Sequence, residues 1–197
     1  MNFYTAIDPN QLEVRDAIAR WVKEAGDRVE SQGLEVKSTL GFTTGGERNQ
    51  SFVKIIKFIL GAANRDEFKA VRDFSGYGIM LIGISKGEVH GVENVPEQHP
   101  FEDFAKAYFG TAVPSYYRFV PHAFEGKTLL FVLVDPPVNG REIYICAKNY
   151  QAQEKKGQIG SQTAPCTTAT PPKPNSQTPC SCAISSTDCW AVTPASS

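Results

Sequence analysis

Three charged residues near the start of the chain have the types and spacing that binding or hydrolysis of a phosphate group would require. Glu30 and Glu35 are two nearby carboxylates, and Lys37 follows Glu35 after one intervening residue. Side chains alternate along a strand, so Glu35 and Lys37 lie on one face if this segment is extended. Two carboxylates beside a lysine could hold a divalent metal for phosphodiester hydrolysis. The alternative is an exposed ion pair, which contributes little to stability.

A second group of residues suits contact with nucleic acid. Tyr116, Tyr117 and Arg118 are consecutive on a predicted strand, where exposed rings could stack on bases and the guanidinium could contact phosphate. The other cations that could contact phosphate, if the fold brings them together, are Lys37, Arg48, Lys54, Lys57 and Lys148. The alternative is that one face of the strand belongs to the core, because aromatic residues favour strands generally.

Other chemistry finds less support in the residue pattern. His90, His99 and His122 are scattered and none lies beside a candidate nucleophile, so we expect no hydrolase triad. The cysteines near the end of the chain lack the paired Cys-x2-Cys spacing of a zinc site. We therefore expect no bound metal or cofactor, apart from Mg²⁺ or Mn²⁺ if the chain is a nuclease.

The elements that must position these residues follow from hydrophobic periodicity. The pattern predicts helices over residues 10–25, 51–60 and 101–109, with Ser51 capping the second, and strands over residues 34–39, 79–84, 88–92, 116–120, 127–134 and 142–146. This order predicts an α/β fold of the α+β type, in which two or three helices pack on a mixed, mainly antiparallel sheet.

Composition limits the class of protein. The chain has 197 residues, 41% of them hydrophobic, which suffices for one buried core. Its net charge is -1, so a nucleic-acid surface would have to be a local basic patch. The first ten residues lack a secretion signal and no apolar run reaches the length of a membrane span. We therefore expect a cytoplasmic protein without a membrane partner.

The composition changes abruptly near Gly157. From there Ser, Thr, Pro, Ala and Gln dominate, and such a segment cannot offset the entropy of ordering. We predict a folded domain over residues 1–150 and a disordered, low-complexity tail over residues 151–197. An out-of-frame end is the alternative explanation for this tail.

An ordered set of motifs resembles the Schlafen AlbA-type DNA-binding domain, a family also described as divergent AAA-related. The matching segments are Glu30-Ser31 with Glu35 and Lys37, the sequence LGAAN at 60–64, the GYG at 76–78 and the LIGI at 81–84. The resemblance covers about residues 28–150, with residues 65–75 as an insertion. The family's terminal strand is missing, which predicts an open sheet edge and possible homo-oligomerisation.

The resemblance implies a nucleic-acid-binding module, with DNA as the first choice and RNA as the second, and little sequence specificity. Some family members are metal-dependent nucleases with three carboxylates, the first two corresponding to Glu30 and Glu35. This chain has Ser85-Lys86 where the third carboxylate is expected, so the nuclease is the alternative function. A protein-interaction module without nucleic-acid binding is the second alternative.

Overall fold

The computed structural model describes residues 7–43, 45–110, 116–137 and 143–148, all within a compact unit that spans Met1–Glu154. The predicted tail over residues 151–197 lies outside the described residues. The predicted mixed α+β fold is confirmed, with a mainly antiparallel sheet. None of the helices in the described ranges is long and apolar enough to cross a bilayer.

The described ranges contain four α-helices and two short 3₁₀ turns. The helices are α1 (Leu12–Ala25), α2 (Gly45–Ala63), α3 (Glu67–Ala70) and α4 (Gln98–Phe109), and the 3₁₀ turns are Gly26–Val29 and Phe74–Gly76. The main prediction error concerns α2, which begins six residues before Ser51. Ser51 is therefore a buried residue inside the helix and not its cap.

The main sheet has four strands in the order β1-β2-β6-β5. The strands are β1 (Leu34–Lys37), β2 (Gly78–Ile82), β5 (Tyr117–Phe124) and β6 (Lys127–Val134), and a separate hairpin is formed by β3 (Ile84–Ser85) and β4 (Glu88–Val89). β1 runs parallel to β2, whereas β6 is antiparallel to both of its neighbours. β2 and β6 lie in the middle, which explains their continuous apolar sequences.

Each face of the sheet has its own hydrophobic core. Residues of α2 and α4 pack with Met80, Ile82 and Leu130 on one face. On the other face, residues of α1 pack with Leu81 and Phe131. Because side chains alternate along a strand, β2, β5 and β6 contribute to both cores, whereas β1 contributes Leu34 and Val36 to the α1-side core and carries polar residues on its other face.

The predicted strand over residues 142–146 is not observed in its described part. Residues 143–148 lie outside the sheet and form neither helix nor strand. This segment is held by Asn64, whose side-chain amide donates to the Tyr144 carbonyl at 2.8 Å and whose Oδ1 accepts from the Tyr144 N–H at 2.9 Å. The Ala147 N–H donates to the Tyr108 carbonyl at 2.7 Å. An asparagine side chain thus takes the place of a partner strand.

The two outer strands of the sheet are protected in different ways from pairing with another strand. On the free side of β1, the Leu34 carbonyl accepts from the Ser31 N–H and the Val36 N–H donates to Glu30 Oε1. On the opposite edge, β5 contains Pro121, a residue that sheets tolerate at their edges because it has no N–H. The expected homo-oligomer through an open edge stays a prediction.

Candidate nucleic-acid interface

Strand β1 directs Glu35 and Lys37 to the α2 side of the sheet. Its alternation buries Leu34 and Val36 in the α1-side core and leaves the two charged side chains partly exposed. Lys37 Nζ lies 2.9 Å from Glu35 Oε1, and each side chain retains about a third of its exposure. The two residues lie on one face, as the alternating pattern predicts.

Helix α2 supplies the opposite wall. Lys54, Lys57 and Gly61 follow at helical spacings of three and four residues, so they lie along one face of the helix. Together with β1 they form an open groove with a volume of about 530 Å³. We call this the lysine groove, and its lining residues are Ser31, Gln32, Glu35, Lys37, Lys54, Lys57, Phe58, Gly61 and Ala62.

The charges of the lysine groove are mostly positive. Three lysines face one carboxylate, and that carboxylate is already paired with Lys37. Lys54 and Lys57 are exposed, and neither forms an ion pair with another residue in the described part of the chain. Phe58, Gly61 and Ala62 provide a less polar floor. A chain of net charge -1 therefore contains a local cationic groove.

Glu30 does not join Glu35 in this groove. Its Oε1 accepts a hydrogen bond from the Val36 N–H at 3.0 Å, so the carboxylate supports the edge of β1. Ser31 supports the same turn, because its Oγ accepts from the Gly33 N–H at 3.1 Å. Within the described ranges, no group of three His, Cys, Asp or Glu residues is placed to hold a metal ion.

Tyr117, which we expected to contact nucleic acid, is buried instead. The Tyr117 ring is only 8% exposed and packs edge-on against Phe101, with Phe109 and Phe119 nearby. Burial, followed by the negative charge of Glu102, raises the pKa of the Tyr117 phenol well above its usual range. The ring belongs to the hydrophobic core and cannot stack on a base. For Tyr117, the alternative considered from the sequence applies, namely that one face of this strand is core.

Arg118 projects from the opposite face of β5. Its Nη1 lies 2.8 Å from Asp135 Oδ1, its Nε donates to Asn10 Oδ1, and its guanidinium lies 5.9 Å from the centre of the Tyr77 ring. Tyr116 precedes the strand and is half-exposed. Both residues lie outside the lysine groove, and Arg118 serves to join the chain before α1 to the sheet.

The remaining predicted cations are also separate from the groove. Arg48 is exposed in the first turn of α2, and Lys148 lies 5.3 Å above the Tyr108 ring beside α4. The structure thus brings together Glu35, Lys37, Lys54 and Lys57 and leaves the others apart. The sequence analysis did not identify Gln32 or Gly61 as groove residues. Gly61 could have been identified, because it lies four residues after Lys57 and therefore on the same face of the helix.

No protein-family model matches the chain, and no curated protein matches it. Among solved structures, it is similar to the solution NMR structure of the N-terminal domain of a protein named as related to the ATP-dependent DNA helicase RecG, from Nitrosomonas europaea. The TM-score is 0.40 with 16% identity, over 78% of this chain and 94% of the other. A likeness at this level assigns neither a family nor a function.

Proposed function

We propose that the lysine groove binds the phosphate backbone of a nucleic acid, with DNA as the first choice. The supporting observation is the convergence of Lys37, Lys54 and Lys57 on one open groove whose single carboxylate is already paired. Flexible ammonium groups bind phosphate as point charges, and they need no precise geometry to do so.

The chemistry of the groove favours contacts with phosphate over contacts with bases. Its charged residues are three lysines and one paired glutamate, and its apolar lining consists of Phe58, Gly61 and Ala62. Contacts with phosphate position a protein on nucleic acid, whereas sequence is read by groups that reach base edges. Of the lining residues, Gln32 is the one amide that could reach a base. We therefore propose binding with little sequence preference.

The number of lysines sets the expected dependence on salt. Neutralising three phosphates predicts a slope of log affinity against log salt of about -2.7 on B-DNA and about -2 on a single strand. With so few contacts, binding should be weak and should be measured at low ionic strength.

The test is fluorescence anisotropy of labelled single- and double-stranded DNA and RNA with the full chain, titrated across salt without added metal. Binding with the slope given above supports the proposal. No binding of any of the four nucleic acids at low salt would overturn it and would favour a protein-interaction module. Strong binding with a slope near zero would also contradict it, because a phosphate contact must release counterions.

The nuclease alternative lacks a supporting observation. It requires Glu30 and Glu35 to hold one metal, but Glu30 is bonded to the backbone of β1 and only Glu35 lines the groove. We therefore do not propose a nuclease.

A further inference from the structure

Three polar side chains, those of Ser85, Glu88 and His90, lie close together at the β3–β4 hairpin. Ser85 Oγ lies 2.7 Å from His90 Nε2, and His90 Nδ1 lies 3.6 Å from Glu88 Oε1. A serine becomes a nucleophile when a neighbouring base takes its proton and a third group orients that base. The second distance can shorten by rotation of the Glu88 side chain, which is 69% exposed.

The hairpin backbone fixes this arrangement. Ser85 is paired with Glu88 across the turn, so His90 occupies the diagonal position on the same face as Ser85. The His90 N–H donates to the Gly83 carbonyl at 2.8 Å, which holds the segment after β4 against the end of β2. The turn itself needs Gly87, whose φ is +78°. The sequence spacing did not reveal this set, because the three residues meet through hairpin register.

Ser85 also lines a second recess, with a volume of about 430 Å³. The other lining residues are Ala25, Arg28 and Lys86. The close approach of the two segments depends on Gly26, which has a φ of +66° and where a Cβ atom would lie 2.7 Å from Lys86 Cβ. Two cationic residues thus line the same recess as a serine whose hydroxyl is hydrogen-bonded to an imidazole. Cations in this position can stabilise the oxyanion of a tetrahedral intermediate.

We propose that Ser85 is the nucleophile of an acyl transfer reaction on anionic esters. As the Ser85 Oγ–carbon bond forms, the hydroxyl proton passes to His90 Nε2. The ester C–O bond then breaks, and the proton passes from His90 to the leaving alcohol. Water attacks the acyl-serine, gives a proton to His90, and the acid leaves as Ser85 takes that proton back. Glu88 is a positioning residue that holds the imidazole through Nδ1.

The lining of the recess sets the class of ester. Among the described side chains that line the recess, the two charged ones, Arg28 and Lys86, are both cationic. An ester with a carboxylate or phosphate elsewhere in the molecule would therefore be held more tightly than a neutral ester of similar size. This activity is independent of the lysine groove, because none of its residues lines that groove.

The first test is labelling of the full chain with a fluorophosphonate probe, which forms an Oγ–phosphorus bond and releases fluoride. We expect one adduct, located at Ser85 by peptide mass spectrometry. His90→Asn should slow labelling about 100-fold, since a positioned general base contributes at least that much. Glu88→Ala should slow it less, and Glu88→Asp should restore part of the rate.

The matched control is Ser38→Ala, which removes an exposed serine just after β1 that lines neither the lysine groove nor the recess beside Ser85. This variant should be labelled at the unchanged rate. Absence of an adduct at Ser85, or labelling that His90→Asn leaves unchanged, would overturn the proposal. Circular dichroism confirms that each variant is folded, and Ser85→Ala, which only removes a partly exposed hydroxyl, should lose the adduct without loss of structure.

The second test addresses the ester class. The full chain is given p-nitrophenyl acetate and a p-nitrophenyl ester whose acyl part carries a carboxylate. We expect the charged ester to react faster, and we expect Arg28→Ala with Lys86→Ala to remove that preference. Equal rates for the two esters in the wild-type chain would overturn the assigned substrate class.

Discussion

Glu35 and Lys37 form an ion pair across one face of β1, with 2.9 Å between Glu35 Oε1 and Lys37 Nζ, inside the lysine groove. Because both side chains keep about a third of their exposure, the pair contributes little to folding. A phosphate group that enters the groove must compete with Glu35 for Lys37. If the groove binds phosphate as proposed, the carboxylate should weaken that binding, whereas a metal-dependent nuclease would need it.

The first prediction follows from this competition. Glu35→Gln should strengthen nucleic-acid binding several-fold at low salt, because it removes the negative charge and frees Lys37. Anisotropy titrations of the variant and the wild type measure the change. The paired control is Glu24→Gln, an exposed carboxylate on α1 outside the groove. If Glu35→Gln instead abolished an Mn²⁺-dependent cleavage of the bound strand, the nuclease alternative would replace phosphate binding.

The second prediction concerns the lysines of α2. Lys54→Ala and Lys57→Ala should each weaken binding and should each reduce the magnitude of the salt slope by about 0.9 on B-DNA. Binding measured at four or more salt concentrations gives both quantities. Lys106→Ala is the matched control, since this exposed lysine lies on α4 and is paired with Asp103. An equal loss in the control would mean that general charge, and not the groove, determines binding.

The third prediction uses two glycines that differ in the space around them. Gly61 lies inside α2, and an added Cβ atom would meet nothing within 4 Å. Gly61→Ala should therefore raise the free energy of unfolding by about 0.5–1 kcal/mol, because alanine loses less backbone entropy in a helix. Chemical denaturation measures the change.

The matched substitution in the sheet is Gly78→Ala, which should have the opposite sign. Its Cβ atom would lie 2.7 Å from Ala62 Cβ, where β2 packs on α2. Overpacking of this kind lowers the free energy of unfolding by about 1–3 kcal/mol. Equal effects of the two alanines would show that α2 does not pack on β2 as described.

The fourth prediction concerns the segment over residues 143–148. Asn64→Ala removes both hydrogen bonds to the Tyr144 backbone and leaves two partly buried polar groups without a partner. We expect faster hydrogen exchange at the Tyr144 amide and a loss of about 1–3 kcal/mol if the segment stays in place. Hydrogen exchange followed by mass spectrometry resolves the site, and Asn49→Ala, an exposed asparagine in α2, is the control. Unchanged exchange at residues 143–148 would contradict the role of Asn64.

Much of the fold follows from periodicity, and the errors have physical causes. The apolar runs over β2 and β6 indicated buried central strands, and the β3–β4 hairpin followed from its glycine turn. The start of α2 was misplaced because its polar first turn carries no hydrophobic signal. The strand expected near Tyr144 does not form there, because the Asn64 side-chain amide takes up the hydrogen bonds of the Tyr144 N–H and carbonyl.

The sequence by itself determined the alternation that places Glu35 and Lys37 on one face, and the helical spacing that aligns Lys54 with Lys57. Both are local properties, set by the period of the strand and of the helix. Only the tertiary structure decided that these two faces meet in one groove, that Tyr117 is core, and that Ser85 meets His90. Those outcomes depend on which elements pack together and in what register, which no local pattern specifies.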